Sequence, residues 1–163
     1  MSDETFAAPL LSADDAVAWR EAQRAAGRTV VTTNGVFDLL HAGHVAYLAW
    51  ARGRGDALLV LLNEDASVRL LGKGPDRPLV PFAERARIIA ALRSVDAVVG
   101  FRQRTPETLL DRLGPDVHVK SAQYRVDELP ERHVVERHGG TIVLAPHQPG
   151  RSTTDLVAII RSR

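Results

Sequence analysis

His41 and His44 stand three residues apart in Thr33-Asn34-Gly35-Val36-Phe37-Asp38-Leu39-Leu40-His41-Ala42-Gly43-His44. Imidazoles at i and i+3 project from one side of a helical turn, so both can reach one bound group. The run that leads in, Thr29-Val30-Val31-Thr32, is β-branched and reads as a buried strand. The run that leads out places Val45, Leu48 and Ala49 on one helical face. The pair therefore falls where a strand turns into a helix N-terminus. There the first backbone N–H groups lack partners, and the helix dipole places about half a positive charge. A lone histidine at a helix start is commonly a cap or a surface residue. Two of them, with Gly43 between and Gly35-x-Phe37-Asp38 before, read as a pair that handles phosphate in a legible strand–turn–helix context.

The elements that must position this pair follow from hydrophobic patterning. Residues 1–10 read as a leader, and Ser12-Ala13-Asp14-Asp15 as a helix start with acids in its first turn. That helix has a thin apolar face with Trp19 its one large group, ends at Gly27, and is expected to pack across the domain without carrying chemistry. Apolar strands are expected over 29–33, 57–62, 96–101, 116–120 and 141–145. Helices are expected from about 42 to 54, 65 to 71, 81 to 92, 105 to 113, 128 to 138 and 152 to 161. The run Ala57-Leu58-Leu59-Val60-Leu61-Leu62 is continuous rather than alternating, as strands of a parallel sheet require. Five strands alternating with helices predict an α/β fold: one Rossmann-like domain with a five-stranded parallel sheet flanked by helices. Residues 1–28 form the leader and packed helix, and 29–163 the domain proper.

Such sheets take ligands beyond the carboxyl ends of their strands, at the switch in strand order. Several groups fall just after strands: the His41/His44 turn, Asn63 with Asp65, Lys120, and the loop before Ser152. No Gly-x-Gly-x-x-Gly follows the first strand, and Gly72-Lys73-Gly74 is not followed by Ser or Thr, which argues against a dinucleotide dehydrogenase and a P-loop hydrolase. Phosphoryl chemistry needs cations and N–H donors around the attacked phosphorus. His41 and His44, with an ordinary pKa near 6.5, suit that task near neutral pH.

Bulk numbers narrow the class. The chain has 163 residues, 45% apolar and 25% charged, with a net charge of +1. No overall field argues for nucleic acid or a membrane surface. There is no cysteine, hence no disulfide, thiolate nucleophile or cysteine-based metal site. No apolar run reaches the roughly 18 residues of a membrane span. The start, Met1-Ser2-Asp3-Glu4, lacks a signal-peptide pattern, so a cytoplasmic location is the expectation.

Over about Val30 to Ile160 the chain resembles the nucleotidyltransferase superfamily that carries the His-x-Gly-His signature. Asn34-Gly35-Val36-Phe37-Asp38-Leu39-Leu40-His41-Ala42-Gly43-His44-Val45-Ala46-Tyr47-Leu48 is most similar to the heptose 1-phosphate adenylyltransferases of the ADP-heptose pathway. The glycerol-3-phosphate cytidylyltransferases come next. The resemblance implies His41, His44 and Lys73 as catalytic residues. It also implies a triphosphate held by Gly35 and the backbone of Val36 and Phe37, with Lys120 in the nucleotide site. Gly150-Arg151-Ser152-Thr153-Thr154 resembles the family's second signature, before the last helix. There Ser152, Thr153 and Thr154 would hold the β- and γ-phosphates, and Arg151 would add charge.

Other residues carry two readings each. Asp38 is either a turn-stabilising cap or a ligand contact; Asn63 and Asp65 are a loop residue and a helix cap, or contacts. Arg85 pairs with Glu84 or a neighbouring helix, or binds substrate. Arg93 is a surface residue, or matches an arginine of the cytidylyltransferases. One stretch departs from the family: the heptose enzymes usually read Val-Lys-Gly-Gly-Asp-Tyr where this chain has Val119-Lys120-Ser121-Ala122-Gln123-Tyr124. Gln123 stands where an acid could bind a ribose or sugar hydroxyl. His118 and His147 read as ordinary strand and loop histidines.

The resemblance implies that ATP and D-glycero-D-manno-heptose 1-phosphate join with release of pyrophosphate. Mg²⁺ would accompany the triphosphate and no metal would be held by the protein itself. A glycerol-3-phosphate cytidylyltransferase-like enzyme and a catalytically silent nucleotide-binding protein are the alternatives. No nucleic acid or membrane partner is expected; a homodimer is in keeping with the resemblance. No kinase domain is part of it, so a separate kinase would supply the phosphosugar.

Overall fold

The structure is a computed structural model that describes residues 7–146 and, near the C-terminus, Val157, Ile160 and Ser162. The described elements run β1 (Leu10–Leu11), α1 (Ala13–Ala25), β2 (Val30–Gly35), α2 (Ala42–Arg52), β3 (Ala57–Asn63), α3 (Asp65–Leu70) and α4 (Phe82–Ala90). They continue with β4 (Ala97–Phe101), α5 (Glu107–Leu113), β5 (Val117–Ser121), a 3₁₀ turn (Val126–Glu128), α6 (Arg132–Arg137) and β6 (Thr141–Ala145). The sheet order is β1-β4-β3-β2-β5-β6, and every pair is parallel. The α/β class, the parallel sheet and the flanking helices are as the sequence predicts. Of the expected last helix, Val157 and Ile160 are described and are helical, whereas Arg151, Ser152, Thr153 and Thr154 lie outside the described residues, as does His147.

The continuous apolar strands are explained by helices on both faces. All seven residues of β3 are buried. Leu58, Val60 and Leu62 join Leu48 of α2 and Ile89 of α4 in one core. Leu59 and Leu61 point the other way, to Ala16 of α1, Leu110 and Leu113 of α5 and Val135 of α6. That is the two-residue period of a strand read on both sides.

The amino edge of the sheet is closed by acids. Asp56 accepts from the Thr29 N–H at 2.8 Å, Asp96 from Leu58 at 2.7 Å and Asp116 from Val30 at 2.7 Å. Each carboxylate satisfies a backbone donor at the start of an adjacent strand. Asp116 also binds buried Arg20 of α1 at 2.9 Å, and Arg20 donates to the Gly114 carbonyl at 3.1 Å, which seats α1 against α5. Among the described residues, no such row of acids lies at the carboxyl edge.

Two expectations are corrected. The sheet has a sixth strand, because Leu10–Leu11, expected within or just after a leader, pairs with Val98–Val99. The Pro9 carbonyl accepts from Val98 at 3.0 Å, so the segment is recruited by the free edge of β4 rather than by any pattern of its own. The helix expected over 128–138 instead is a 3₁₀ turn followed by α6. Pro130 cannot donate within a helix and forces Leu129 into an extended conformation, with ψ 121°.

Candidate active site

Chain order reverses between β2 and β5, and a cavity of about 920 Å³ opens beyond their carboxyl ends. Gly35, Val36, Phe37 and Asp38 enter it from the turn after β2. His41 and His44 come from the start of α2, Asn63 from the end of β3, and Lys73 from the loop after α3. Lys120 and Gln123 form the opposite wall. The structure thus brings these predicted residues to one place.

The turn is built for close approach. Phe37 is the one non-glycine residue with positive φ among the described residues, at 47°, and this reverses the chain from strand toward helix. Its ring lies so near Gly35 that a Cβ there would come within 2.8 Å of it. The same ring meets His44 edge-on, with centroids 5.2 Å apart. His41 is the N-cap of α2 but makes no capping bond with its side chain, and no acid occupies the first turn. The N–H groups of His44 and Val45 both return to the His41 carbonyl at 2.9 and 3.2 Å, which leaves those of Ala42 and Gly43 outside the helical ladder.

The two imidazoles stack, with centroids 3.8 Å apart and planes 23° from parallel. Burial pushes His44 down to about 4, the neighbouring His41 pushes the same way, and the Leu39 carbonyl opposes them. The expectation of an ordinary histidine is therefore corrected. His44 is neutral at pH 7.

Asp38 is a brace. Its Oδ1 accepts from the N–H groups of Leu79 and Val80 at 2.8 and 2.9 Å, and its Oδ2 binds Arg77 at 2.7 Å. Burial works to raise its pKa, but the Val80 N–H, Arg77 and the Leu79 N–H together hold it below the ordinary carboxylate value. Its oxygens are spent on the loop 77–80, not on its own turn. Asn63 donates to Ser67 at 2.8 Å, and Ser67 in turn donates to the Gln103 carbonyl.

Arg85 and Asp65 lie beneath the cavity, not on its wall. Arg85 is 1% exposed and pairs with Asp65 at 2.7 Å, not with Glu84. It also donates to the carbonyls of Val80 (2.8 Å), Val36 (2.7 Å) and Asn63 (2.8 Å), so it fixes the turn after β2 and the end of β3 together. Arg93 sits exposed in the turn after α4, away from the cavity. Lys73 is exposed on a loop between Gly72 and Gly74, whose φ values are 66° and 118°.

Sequence reasoning missed Glu131. It is 2% exposed, 2.7 Å from Lys120, which also donates to Asn34 at 2.9 Å. Burial opposes its ionisation, yet His118 and Lys120 hold it down at about 2. His118 is buried in β5 with Thr32 Oγ1 at 2.8 Å, and burial lowers its pKa. Glu131 follows Pro130, and a break at that proline was the signal that this acid belongs to a loop at the ligand edge. Arg77 and Arg104 also line the cavity. Arg104 lies just beyond β4, so the strand-end rule that selects Asn63 and Lys120 selects it too.

The altered stretch forms a tight turn: Tyr124 N–H returns to the Ser121 carbonyl at 3.1 Å and Ala122 N–H to Ala145 at 2.9 Å. None of Ser121, Ala122 and Gln123 has a positive φ, so the side chains that stand in place of glycines carry no strain there.

The cytidylyltransferase-like family model matches residues 32–159. The D-beta-D-heptose 1-phosphate adenylyltransferase of Bordetella bronchiseptica is 47% identical over 161 residues, 99% of each chain. The bifunctional protein HldE of Halorhodospira halophila is 50% identical over 140 residues, 86% of this chain but 29% of that protein, so the chain spans under a third of such relatives. Among solved structures, the lipopolysaccharide core biosynthesis protein of Thermoplasma volcanium superposes with a TM-score of 0.64 at 26% identity, covering 77% of this chain and all of that one. With the family model spanning the turn after β2, the sheet switch and the stretch beyond β6, this chain belongs to the cytidylyltransferase-like family.

Proposed function

We propose that the protein transfers an adenylyl group from ATP to D-glycero-D-manno-heptose 1-phosphate and releases pyrophosphate. A phosphate oxygen of the sugar attacks the α-phosphorus in line; the bond to the bridging oxygen breaks, and pyrophosphate leaves with the electron pair. The observation that carries this reading is the stacked His41/His44 pair on a helix start whose N–H groups at Ala42 and Gly43 lie outside the helical ladder. These donors face charge that grows on the phosphoryl oxygens in the transition state, where fixed dipoles are most effective. Arg85 holds the Val36 carbonyl and so keeps the turn in register. By the resemblance, Ser152, Thr153, Thr154 and Arg151 would take the β- and γ-phosphates.

Mg²⁺ would enter with the triphosphate and would lower its charge. Among the described residues no three His, Asp or Glu side chains converge on a metal position, and Asp38 is committed to the loop 77–80. Phosphate oxygens and water suit such an ion without a protein cage. No helix among the described residues is long and apolar enough to cross a membrane. A cytoplasmic enzyme fits a reaction that draws on ATP, and a symmetric dimer accords with the resemblance.

The test is pyrophosphate release over a panel of ATP and CTP with heptose 1-phosphate and glycerol 3-phosphate. ATP with heptose 1-phosphate should give the highest kcat/KM. Preference for CTP with glycerol 3-phosphate assigns the chain to the other activity, and no release with any pair leaves a silent nucleotide-binding protein.

Gln123 offers a second measurement. It lines the cavity in place of the acid that the heptose enzymes carry. A neutral amide bonds a hydroxyl less strongly than a carboxylate does. Gln123→Asp, made alone and with glycines at 121 and 122, should change the ratio of kcat/KM between competing substrates by about tenfold, the scale of one charge-assisted bond, with little change in Tm. Unchanged ranking in both variants means that this turn does not set selectivity.

A further inference from the structure

The two walls of the cavity differ in net charge. On the β5 side, the Lys120 ammonium is cancelled by Glu131 at 2.7 Å. Burial lowers the pKa of His118 behind them, and Glu128 on the same side is paired with Arg125 at 3.4 Å. On the β3–β4 side, Arg77 is cancelled by Asp38, whereas Lys73 and Arg104 have no ion pair or hydrogen bond among the described residues. The uncompensated positive charge of the described cavity therefore lies in the half away from Lys120.

Arg104 and Lys73 differ in how they are held. Lys73 rides between two left-handed glycines. The backbone under Arg104 is tied down: Asn63 donates to Ser67, and Ser67 donates to the carbonyl of Gln103, the residue just before it. Thr105, the residue just after it, is fixed by a 2.7 Å bond from its hydroxyl to Glu107. Arg104 thus has an anchored base and a free guanidinium.

This arrangement answers a requirement of the proposed reaction, on which the inference rests. Two anions, a triphosphate and a sugar phosphate, must come within bonding distance. Their repulsion is large wherever water is excluded. The start of α2 and the histidine pair serve the α-phosphate, and the compensated β5 wall suits an uncharged nucleoside. We propose that Arg104 binds the phosphate of the acceptor. Its planar fork takes two non-attacking oxygens and leaves the third directed at the α-phosphorus. Arg104 is then a specificity-determining contact for a phosphate-bearing acceptor.

Arg104→Gln and Arg104→Lys separate this from a solvated surface arginine. Arg104→Gln should raise KM for heptose 1-phosphate by about tenfold or more, with KM for ATP within about twofold and Tm unchanged. Arg104→Lys should recover part of the loss, since it keeps the charge but not the fork. Unchanged KM for the sugar phosphate overturns the inference, and so does a rise confined to ATP. Turnover by the parent enzyme tests the proposed function separately. Should the parent release no pyrophosphate, calorimetric titration of parent and Arg104→Gln with heptose 1-phosphate still reads the contact. Weaker binding by the variant supports it, and equal heats, including none in either protein, overturn it.

Discussion

His44→Ala should lower turnover by at least about 10²-fold, the scale of one lost transition-state donor, while KM for ATP changes far less. The geometry explains the split. The triphosphate keeps the N–H groups of Ala42 and Gly43 and the His41 ring, but the charge that develops during transfer loses the imidazole stacked against His41. Near-parental turnover in the variant would remove His44 from the catalytic assignment. The pH behaviour is a second reading of the same residue. His44 titrates near 4 in the folded protein, against an ordinary value of 6.5. Between those values the unfolded chain binds a proton that the folded one does not. Stability therefore falls as pH drops from about 6.5 to about 4, and this contribution is spent below that. His44→Ala should flatten that part of the curve of Tm against pH. ATP binding should draw a proton onto the parent enzyme, seen as a buffer-dependent heat at pH 6, and onto the variant less.

The largest loss of stability is expected at Arg85→Ala. This guanidinium is 1% exposed and serves three carbonyls and the Asp65 carboxylate. Its removal leaves each of them short of a donor in a place that water reaches poorly. Breaking one partner out of a buried pair costs about 3–5 kcal/mol. Asp65 keeps partial access to solvent, so the lower end applies. For a chain of this size about 3 kcal/mol lowers Tm by roughly 6–12 °C. Turnover should fall as well, because the Val36 carbonyl is no longer held. A Tm within about 2 °C of the parent would show that the strut is dispensable.

Arg85 also shows where sequence reading stops. Its type and its helix were legible, but its partner was not, because Asp65 comes from another element 20 residues away. The parallel sheet was legible because Ala57 to Leu62 of β3 are apolar throughout, and the site because the His41/His44 turn, Asn63 and Lys120 fall at or beyond the carboxyl ends of strands. β1 was not legible: two leucines carry no period, and the strand exists because β4 offers an open edge. Glu131 was hidden by a helix drawn through Pro130. The depressed pKa of His44 depends on burial, which local sequence does not encode.

The contact between Gly35 and the Phe37 ring constrains how this turn can change over generations. A methyl group at 35 would come within 2.8 Å of a ring that itself abuts His44. A small residue at 37 would make room for that methyl but would leave His44 without its edge-on neighbour. The clash of the first substitution is thus one that the second removes, and the order in which they arise decides whether the lineage survives the first. Drift at these two positions is therefore coupled. A library that randomises both together should recover functional pairs that stepwise scanning from the present sequence does not reach.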